Sequence, residues 1–294
     1  MKKYLSIDIG GTFIKYSFVN ENGVLGAINK LATPDNLPDF LQTVESIVEQ
    51  NKAGISGVGF STLGKVDTKE GKIYNGGLLR FLHELPLKET IEKKFDLLCS
   101  VSNDAKSAVL AEMWLGNLQG VSNGAAIVLG TGVGGGIVLN GQLLQGNHFQ
   151  AGELSLLLRS PGSPEIVGFS GSGVRFVEKV ENLLHLPNKS DGMAVFEEIK
   201  SKRNAAVNQL FVQYCQEIAH IISNLQVTLD LDKLVIGGGI SEQQILIEEI
   251  NRQYDWLREE SIYVQRSIPR LEIDVCKFKN NANLLGAVYP LLIQ

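Results

Sequence analysis

The sequence is poor in the features that mark disulfide-stabilised, zinc-binding and nucleic-acid-binding proteins. Its 3 cysteines, Cys99, Cys215 and Cys276, lie far apart and form no CxxC pair. This spacing excludes a disulfide framework and a zinc ribbon, and it favours a reducing, cytoplasmic location. No run of Lys or Arg occurs and the formal net charge is -5, so nucleic acid is not an expected partner.

A membrane span is not predicted either. Residues 113–152 contain no Asp, Glu, Lys or Arg, but they are rich in Gly, Asn and Gln, which is typical of buried strands and turns. Asp8 interrupts the apolar stretch that a signal peptide would need. With 294 residues, 44% hydrophobic and 20% charged, the chain has the composition of a soluble globular protein of two moderate domains.

Hydrophobic periodicity and turn residues predict an α/β protein. The predicted strands are residues 4–9, 13–19, 57–60, 97–101, 125–129, 136–139 and 234–236, and the predicted helices are residues 37–50, 85–94, 104–114, 171–185, 203–229 and 282–292. Ser102 or Asn103 would cap the helix that begins near Asp104, and Ser241 would cap a helix after residues 237–239. Helix 203–229 could pack a partner subunit, although packing within its own lobe is the simpler expectation.

Two segments share one plan. Residues 4–23 and 125–141 each contain a strand, a turn with Gly and Thr, a second strand and an Asn-Gly pair. Glycine-rich hairpins are common, so the match could be coincidental. A repeat at this spacing nevertheless predicts two similar α/β lobes.

Three glycine turns follow predicted strands, at residues 10–12, 130–132 and 237–239. Missing side chains let backbone N–H groups approach phosphate oxygens closely, and a threonine hydroxyl adds a donor. Any one of these turns could be an ordinary hairpin, but three together favour a nucleotide site. Asp8 would have to act there through Mg²⁺, because a bare carboxylate repels phosphate.

Two other glycine patterns do not fit their usual contexts. Residues 130–135 match GxGxxG, but the dinucleotide motif requires a following helix, and residues 137–141 have the pattern of a strand and a turn. Residues 59–65 match GxxxxGK, but Val66 replaces the Ser or Thr that would bind Mg²⁺. Neither a dinucleotide site nor a phosphate-loop NTPase is therefore predicted.

Two carboxylates are candidates for chemistry. Asp104 follows a strand and opens a helix, where the helix dipole favours the ionised form. It could serve as a general base or simply cap the helix. Glu153 ends a long uncharged stretch, so it could be a surface residue or a ligand for hydroxyl groups.

Seven motifs in order resemble the ROK family (repressors, open reading frames and kinases) of the actin/hexokinase-like superfamily. They are DIGGT at 8–12, STLGKVD at 61–67, SNDAKSAVLAE at 102–112, LGTGVGGGIVLNG at 129–141, AGEL at 151–154, VIGGGI at 235–240 and LLGA at 284–287. The matches cover almost the whole chain, so the resemblance favours catalysis over capping for Asp104.

The resemblance implies two ribonuclease H-like lobes around a cleft that closes over sugar and ATP. We expect a small lobe at residues 1–117, with helix 282–294 packing back on it, and a large lobe at 118–281. It also implies a homodimer and an ATP:sugar phosphotransferase that uses Mg²⁺.

The same resemblance implies roles for individual residues. Asp104 would be the general base on a sugar hydroxyl. The sugar would be bound by Asn103, Asp104, Glu153, Gly64 and Gly77. The phosphates would contact Asp8 (through Mg²⁺), Gly10, Gly11, Thr12, Thr131 and Gly132, with Gly238 and Gly239 under the adenosine.

The chain departs from the family pattern after AGEL. Leu156 stands where the family has a histidine, and no cysteine occurs between Cys99 and Cys215, so no zinc site is expected. The segment 156–172 is short, and Glu165 is only a possible substitute for the second family glutamate. Losing this loop would open the anomeric side of the sugar, as in β-glucoside kinases.

The predicted substrate is therefore a β-glucoside such as cellobiose, or glucose, phosphorylated at the 6-hydroxyl. N-acetylmannosamine is the alternative, because the STLGKV and GLL stretches resemble those kinases. A non-catalytic sugar sensor is a further alternative, which the presence of Asp104 disfavours, and an acyl kinase is disfavoured by the NDA and AGE motifs. A repressor is not expected, because 7 residues before Asp8 leave no room for a helix-turn-helix.

Overall fold

The computed structural model describes residues 2–159, 162, 164–186, 191–279 and 281–293. Strands and helices alternate along much of the chain, as the α/β prediction requires. Residues 160, 161 and 163 of the shortened segment 156–172 lie outside the described residues. Among the residues described, no helix is both long enough and apolar enough to cross a membrane.

The strands are β1 Lys3–Ile9, β2 Phe13–Asn20, β3 Asn29–Ala32, β4 Val58–Thr62, β5 Lys65–Asp67, β6 Lys72–Asn75, β7 Leu85–Pro86, β8 Cys99–Asn103, β9 Gly124–Leu129, β10 Val133–Leu139, β11 Gln142–Leu143, β12 Lys233–Gly237 and β13 Glu272–Val275. The helices are α1 Leu37–Asn51, α2 Leu87–Phe95, α3 Asp104–Leu115, α4 Val167–Ser170, α5 Gly173–Leu184, α6 Gly192–Ser201, α7 Ala205–Leu229, α8 Gln244–Glu259, α9 Ile262–Ser267 and α10 Ala282–Leu292. Short 3₁₀ turns cover Arg80–Leu82, Leu154–Leu156 and Gly239–Glu242.

The chain divides into two compact units. The first unit comprises Met1–Gln119, Gln145–Ala151 and Asn280–Gln294, and the second comprises Gly120–Leu144 and Gly152–Lys279. Segment Gln145–Ala151 therefore belongs to the first unit, whereas the sequence-based boundaries put it in the second lobe. The segment packs with the first unit because the side chain of Lys106 in α3 donates hydrogen bonds to Gln145 and Phe149.

Each unit contains a sheet of the same plan. Over the described residues, the strand order is β3-β2-β1-β4-β8 in the first unit and β11-β10-β9-β12-β13 in the second. In both sheets the first three strands pair antiparallel and the last two join in parallel. The shared order agrees with the repeat predicted from residues 4–23 and 125–141. A small antiparallel sheet, β5-β6-β7, is added to the first unit.

In the first unit, the core lies around β1 and β4. Residues 4–9 are all buried, which is typical of a central strand covered on both faces. Helix α1 begins after Asn36, whose side chain accepts a hydrogen bond from Asp39 N, and it buries Phe40 and Val44 against this sheet.

Helix α10 packs directly on β4, β8 and α3 in the first unit. A Cβ atom on Gly286 would lie 1.7 Å from the carbonyl oxygen of Ser107, and one on Gly59 would lie 2.2 Å from the carbonyl oxygen of Ala287. The Ser100 hydroxyl donates to the Ala287 carbonyl at 2.8 Å. Gly286 of the LLGA motif and Gly59 of β4 thus allow backbone-to-backbone contact.

The second unit has its own core, crossed by the long helix α7. Phe211 and Tyr214 of α7 are buried, and the Tyr214 ring stacks on Phe176 of α5 with 4.5 Å between centroids. Val207 and Ile218 belong to the same core cluster. The apolar face of α7 therefore packs within its own unit.

Two local predictions differ from the structure. The sequence patterns do not predict helix α6, which begins after Asp191. The Asp191 side chain caps this helix by accepting a hydrogen bond from Ala194 N. Ser241 does not cap α8, because it lies in a 3₁₀ turn and its hydroxyl donates back to the Gly238 carbonyl at 2.8 Å. Helix α8 follows Gln243 without a side-chain cap.

Candidate active site

Asp8 lies near the end of β1 and is only 8% exposed. Its Oδ1 accepts a hydrogen bond from Asn283 Nδ2 of α10 at 3.1 Å. Burial raises the pKa of the Asp8 carboxyl, while Ser61, Asn283 and Lys15 act in the opposite direction. A buried carboxylate in this position fits as an oxygen ligand for Mg²⁺. Asn283 was missed in the sequence, where its only signal is a polar residue just before the LLGA motif.

The turn after β1 is fixed by Thr33. The Thr33 hydroxyl donates to the Gly10 carbonyl at 2.7 Å, and Thr33 N donates to the Thr12 carbonyl at 3.0 Å. Gly11 and Thr12 are exposed, so the turn presents both residues to solvent while its backbone is held from behind. A Cβ on Gly11 would lie 3.3 Å from the exposed side chain of Leu78.

Three of the predicted sugar-site residues, Asn103, Gly64 and Gly77, lie close together. Asn103 ends β8, and its Oδ1 accepts a hydrogen bond from Lys106 N at 3.2 Å, which makes it the cap of α3. Its Nδ2 donates to the Gly64 carbonyl at 2.9 Å. Gly77 lies beside Gly64, because a Cβ on Gly77 would be 3.8 Å from Gly64 N.

The backbone at Gly64 and Gly77 requires glycine. Their φ angles are +86° and +62°, in the left-handed region that side chains disfavour. A Cβ on Gly64 would lie 1.6 Å from the Asn75 carbonyl oxygen, and the Asn75 side chain accepts a hydrogen bond from Gly77 N at 3.1 Å. These glycines therefore build a tight loop next to Asn103.

Asp104 is the first residue of α3 and is half-buried. Its Oδ1 accepts a hydrogen bond from Ala105 N at 2.8 Å. Of the two predicted caps, Asn103 takes the role and Ser102 does not. Asn103 is therefore the N-cap of α3, while the Asp104 carboxylate accepts from a further N–H group of the first turn, and the role of Asp104 as general base stays a prediction.

Lys106 is a buried cation that no sequence pattern marks. It is 5% exposed, and its Nζ donates to Gln145 Oε1 at 3.1 Å and to the Phe149 carbonyl at 2.9 Å. The ordinary signal for a buried position in a helix is an apolar residue, so periodicity alone gave no reason to single it out.

In the second unit, the turn between β9 and β10 is anchored to the start of α5. Gly130 N donates to the Gly132 carbonyl at 3.0 Å. The Gly130 carbonyl accepts from the Ser172 hydroxyl and from Val174 N, both at 3.2 Å. Thr131 is exposed at the tip of this turn.

A cavity of about 260 Å³ lies beside this turn, within the second unit. It is bounded by the end of β9, the first turns of α5 and the 3₁₀ turn after β12. Its lining residues are Leu129, Gly130, Gly173, Val174, Val177, Glu178, Gly192, Gly239 and Ile240. The cavity therefore joins two of the three predicted glycine turns.

The two glycines after β12 differ in their surroundings. Gly238 has a φ of +97°, and a Cβ there would lie 2.1 Å from the Leu129 carbonyl oxygen. Gly239 has open space where a Cβ would be, and it lines the cavity. Gly238 thus serves backbone packing, whereas Gly239 borders the cavity.

Glu153 lies just before the 3₁₀ turn Leu154–Leu156 and is half-buried. Its Oε1 accepts a hydrogen bond from the Ser155 hydroxyl at 2.5 Å. Glu165, the possible second glutamate, instead pairs with Arg159 at 2.7 Å, which favours a structural role for it.

The predicted site residues fall into separate groups. The first unit holds Asp8, Gly10, Gly11, Thr12, Gly64, Gly77, Asn103 and Asp104, and the second holds Thr131, Gly132, Glu153, Gly238 and Gly239. In the part of the chain that the structure describes, no three His, Cys, Asp or Glu side chains gather as a metal site. The absence of zinc therefore stays a prediction.

The paired sheets of equal strand order, each with glycine turns at strand ends, define an α/β protein of the actin/hexokinase-like class. The model of the ROK family matches residues 4–292. The chain belongs to the ROK family.

Two named relatives and one solved structure are similar over nearly the whole chain. A β-glucoside kinase from Listeria monocytogenes is 29% identical, covering 99% of this chain and 97% of its own. An N-acetylmannosamine kinase from Haemophilus influenzae is 32% identical, covering 97% of this chain and 94% of its own. A ROK family glucokinase from Streptomyces griseus, crystallised with glucose and AMPPNP, has a TM-score of 0.80 at 24% identity, with 97% of each chain covered.

The predicted enzyme class, a sugar kinase of this family, is confirmed by these comparisons. The relatives differ in the sugar that their names give, so the comparisons do not determine the substrate of this chain.

Proposed function

We propose that this chain transfers the γ-phosphoryl group of ATP to the 6-hydroxyl of a β-glucoside such as cellobiose, or of glucose. The observation that carries the proposal is the start of α3. There Asn103 caps the helix and binds the Gly64 loop, and Asp104 follows in the first turn. A carboxylate next to a polar loop of this kind is suited to act as a general base.

The reaction follows from these residues. Asp104 accepts the proton of the sugar hydroxyl as its oxygen attacks the γ-phosphorus, and ADP leaves. The Asn103 amide and the backbone of Gly64 and Gly77 would bind the other ring hydroxyls, and the same role is proposed for the Glu153 carboxylate from the family resemblance alone. Catalysis is then mainly a matter of orientation, which is the main contribution a protein makes to phosphoryl transfer.

ATP binding is supported by glycines that the fold itself does not require. Gly130, Gly132 and Gly239 show no positive φ, and a Cβ would meet nothing closer than 3.6 Å at any of them. Absent side chains at these positions leave room for a ligand to approach the backbone. Thr131 and Gly132 would bind the phosphates, and the same role is proposed for Gly10, Gly11 and Thr12 from the family resemblance alone.

The cavity of the second unit would hold the adenosine, with Gly239 at its wall and Gly238 supporting it from below. Its volume of about 260 Å³ lies just below the usual range of roughly 300–1,000 Å³ for ligand pockets, as suits a nucleoside rather than a whole nucleotide. Asp8 would bind Mg²⁺ directly or through water, and when bound this ion would offset negative charge on the transferred phosphoryl group.

A glycoside substrate is favoured by the surface that follows Glu153. Leu156 is 60% exposed and Leu158 is 67% exposed, at the point where the resembling family has its histidine and zinc loop. Exposed apolar side chains here would gain free energy if the aglycone of a β-glucoside covered them and removed them from water. The similarity to a β-glucoside kinase supports the same substrate class.

N-acetylmannosamine is the second candidate. The observation in its favour is the 32% identity to an N-acetylmannosamine kinase over 297 residues. The two candidate substrates carry different substituents on the sugar ring, so activity measured on a panel of sugars separates them.

The test is ADP release with Mg-ATP against cellobiose, an aryl β-glucoside, glucose and N-acetylmannosamine. We expect the highest kcat/KM on a glucoside. Turnover confined to N-acetylmannosamine would change the proposed substrate, but the protein would still be a sugar kinase. Asp104→Asn should lower kcat on the best substrate roughly 10²–10⁴-fold, while the free energy of unfolding falls by no more than about 1 kcal/mol, the value of a charge at a helix N-terminus. Full activity in this variant would refute the base assignment.

Absence of turnover on every sugar, with ATP still bound, would instead indicate the sugar-sensing alternative. Homodimerisation remains a prediction from the family and can be checked by light scattering coupled to size-exclusion chromatography.

A further inference from the structure

Lys106 is a buried charge that the proposed reaction does not use. It lies in the first turn of α3, two positions after Asp104, and is 5% exposed. Burial of an ammonium group is unfavourable unless partners compensate for the lost hydration. Residues 108–111 of α3 are apolar and buried, so simple core packing at position 106 would have been served by an apolar side chain.

The partners of Lys106 lie on one segment. Its Nζ donates to Gln145 Oε1 at 3.1 Å and to the Phe149 carbonyl at 2.9 Å. Both acceptors belong to Gln145–Ala151, the stretch that packs with the first unit although the residues on either side of it belong to the second. Lys106 thus joins the helix of Asp104 to this segment.

The segment has an unusual backbone. Phe149 has a φ of +59° and Gly146 a φ of +71°, and the left-handed region is uncommon for an aromatic residue. Strained residues of this kind persist where surrounding contacts enforce them, and they cluster at ligand sites. In this segment the residue with the unusual conformation is Phe149, and its carbonyl accepts the hydrogen bond from Lys106.

The segment also carries polar groups that the core does not use. Asn147 and His148 are exposed and Gln150 is half-buried, and amide and imidazole groups suit sugar hydroxyls. These side chains belong to the same unit as Asp104 and Asn103.

We propose that Lys106 is a positioning residue for the sugar. It holds Gln145–Ala151 next to the first turn of α3, where the segment lines the sugar subsite beside Asp104. This proposal rests on the proposed kinase function, because the subsite is the one that presents a hydroxyl to Asp104.

The experiment compares Lys106→Met with wild type in the full chain. We expect KM for the preferred sugar to rise roughly 10-fold or more, the range for losing hydrogen bonds to a charged group, while KM for ATP changes less than about 2-fold. The matched control is Arg258→Met, which removes a buried cation bonded to the Pro269 carbonyl in the second unit. It should lower the melting temperature and leave KM for the sugar unchanged.

Hydrogen exchange provides a readout that does not depend on turnover. In wild type, saturating sugar (cellobiose, glucose or N-acetylmannosamine) should slow amide exchange in residues 145–151, and in Lys106→Met this protection should be lost. If Lys106→Met does not fold, Gln145→Ala removes one acceptor and should raise KM for the sugar in the same direction.

The outcomes separate the two proposals. If wild type phosphorylates a sugar but the Lys106→Met and Gln145→Ala variants keep the wild-type KM and the sugar-dependent protection, the positioning role is overturned and Lys106 is purely structural. If wild type turns over no sugar, the kinase proposal fails, and the exchange experiment decides the Lys106 proposal: protection of residues 145–151 by sugar supports it and unchanged exchange overturns it.

Discussion

Adjacent glycines after β12 should respond oppositely to substitution. Gly238 has a φ of +97° and a ψ of 168°, a backbone region that is essentially restricted to glycine, and its Cβ would lie 2.1 Å from the Leu129 carbonyl oxygen. Gly239 has no atom within 4 Å of a built Cβ. Gly238→Ala should therefore damage the fold, whereas Gly239→Val should place its side chain in the cavity and damage ligand binding.

The size of the Gly238→Ala effect follows from two terms. An alanine in this backbone region costs about 1–3 kcal/mol, and forcing a methyl group against packed backbone costs about 1–3 kcal/mol more. A loss of about 2–6 kcal/mol in a unit of this size lowers the melting temperature by roughly 4–24 °C. Gly239→Ala, the matched control, should change the free energy of unfolding by less than about 0.5 kcal/mol.

The size of the Gly239→Val effect follows from the cavity. Three added carbons occupy part of about 260 Å³ that the adenosine would fill. We expect KM for ATP to rise roughly 10–100-fold, equivalent to about 1.4–2.7 kcal/mol of binding free energy. KM for the sugar should not change, because Gly239 belongs to the nucleotide side of the proposed site.

The assays are differential scanning fluorimetry for stability and initial-rate kinetics with varied ATP. An unchanged KM for ATP in Gly239→Val would show that the cavity is not the nucleoside site. A wild-type melting temperature in Gly238→Ala would show that β12 and β9 do not approach as described.

Two further outcomes concern stability and thiol chemistry. Gly286→Ala should destabilise the first unit by at least ~1–3 kcal/mol, because its Cβ would lie 1.7 Å from the Ser107 carbonyl oxygen; urea denaturation measures this, and an unchanged midpoint would contradict the packing of α10. Burial raises the pKa of the Cys99 and Cys215 thiols, so iodoacetamide should label them slowly in the native protein and quickly in guanidinium. Since Cys99 lies in the first unit and Cys215 in the second, their labelling order in a denaturant titration, read by mass spectrometry, reports which unit unfolds first; rapid labelling without denaturant would contradict the burial.

The local sequence was sufficient where short-range signals decide the structure. The last helix was predicted at residues 282–292, and the structure has α10 at Ala282–Leu292. The sequence predicts Ser102 or Asn103 as the N-cap of α3, and in the structure Asn103 is the cap. Helix periodicity and capping act within a few residues, so the chain itself carries the information.

The local sequence was insufficient where the signal is weak or displaced. Helix α6 was missed because its Gly192 start and charged face hide its short apolar spacing. Ser241 was assigned to a cap because Ser is a good N-cap residue, but the tight turn at Gly238 draws its hydroxyl to a carbonyl instead.

The sequence by itself determined the α/β class, the family and the small set of polar and glycine residues from which a site can be built. Only the tertiary structure showed that Asn103 and Gly64 are hydrogen-bonded, that Asn283 binds Asp8, and that Lys106 holds segment Gln145–Ala151. The reason is distance along the chain, because these contacts join residues 39 to 275 positions apart. Periodicity and capping act over a few residues, whereas contacts of this kind form only when the sheets and helices have packed.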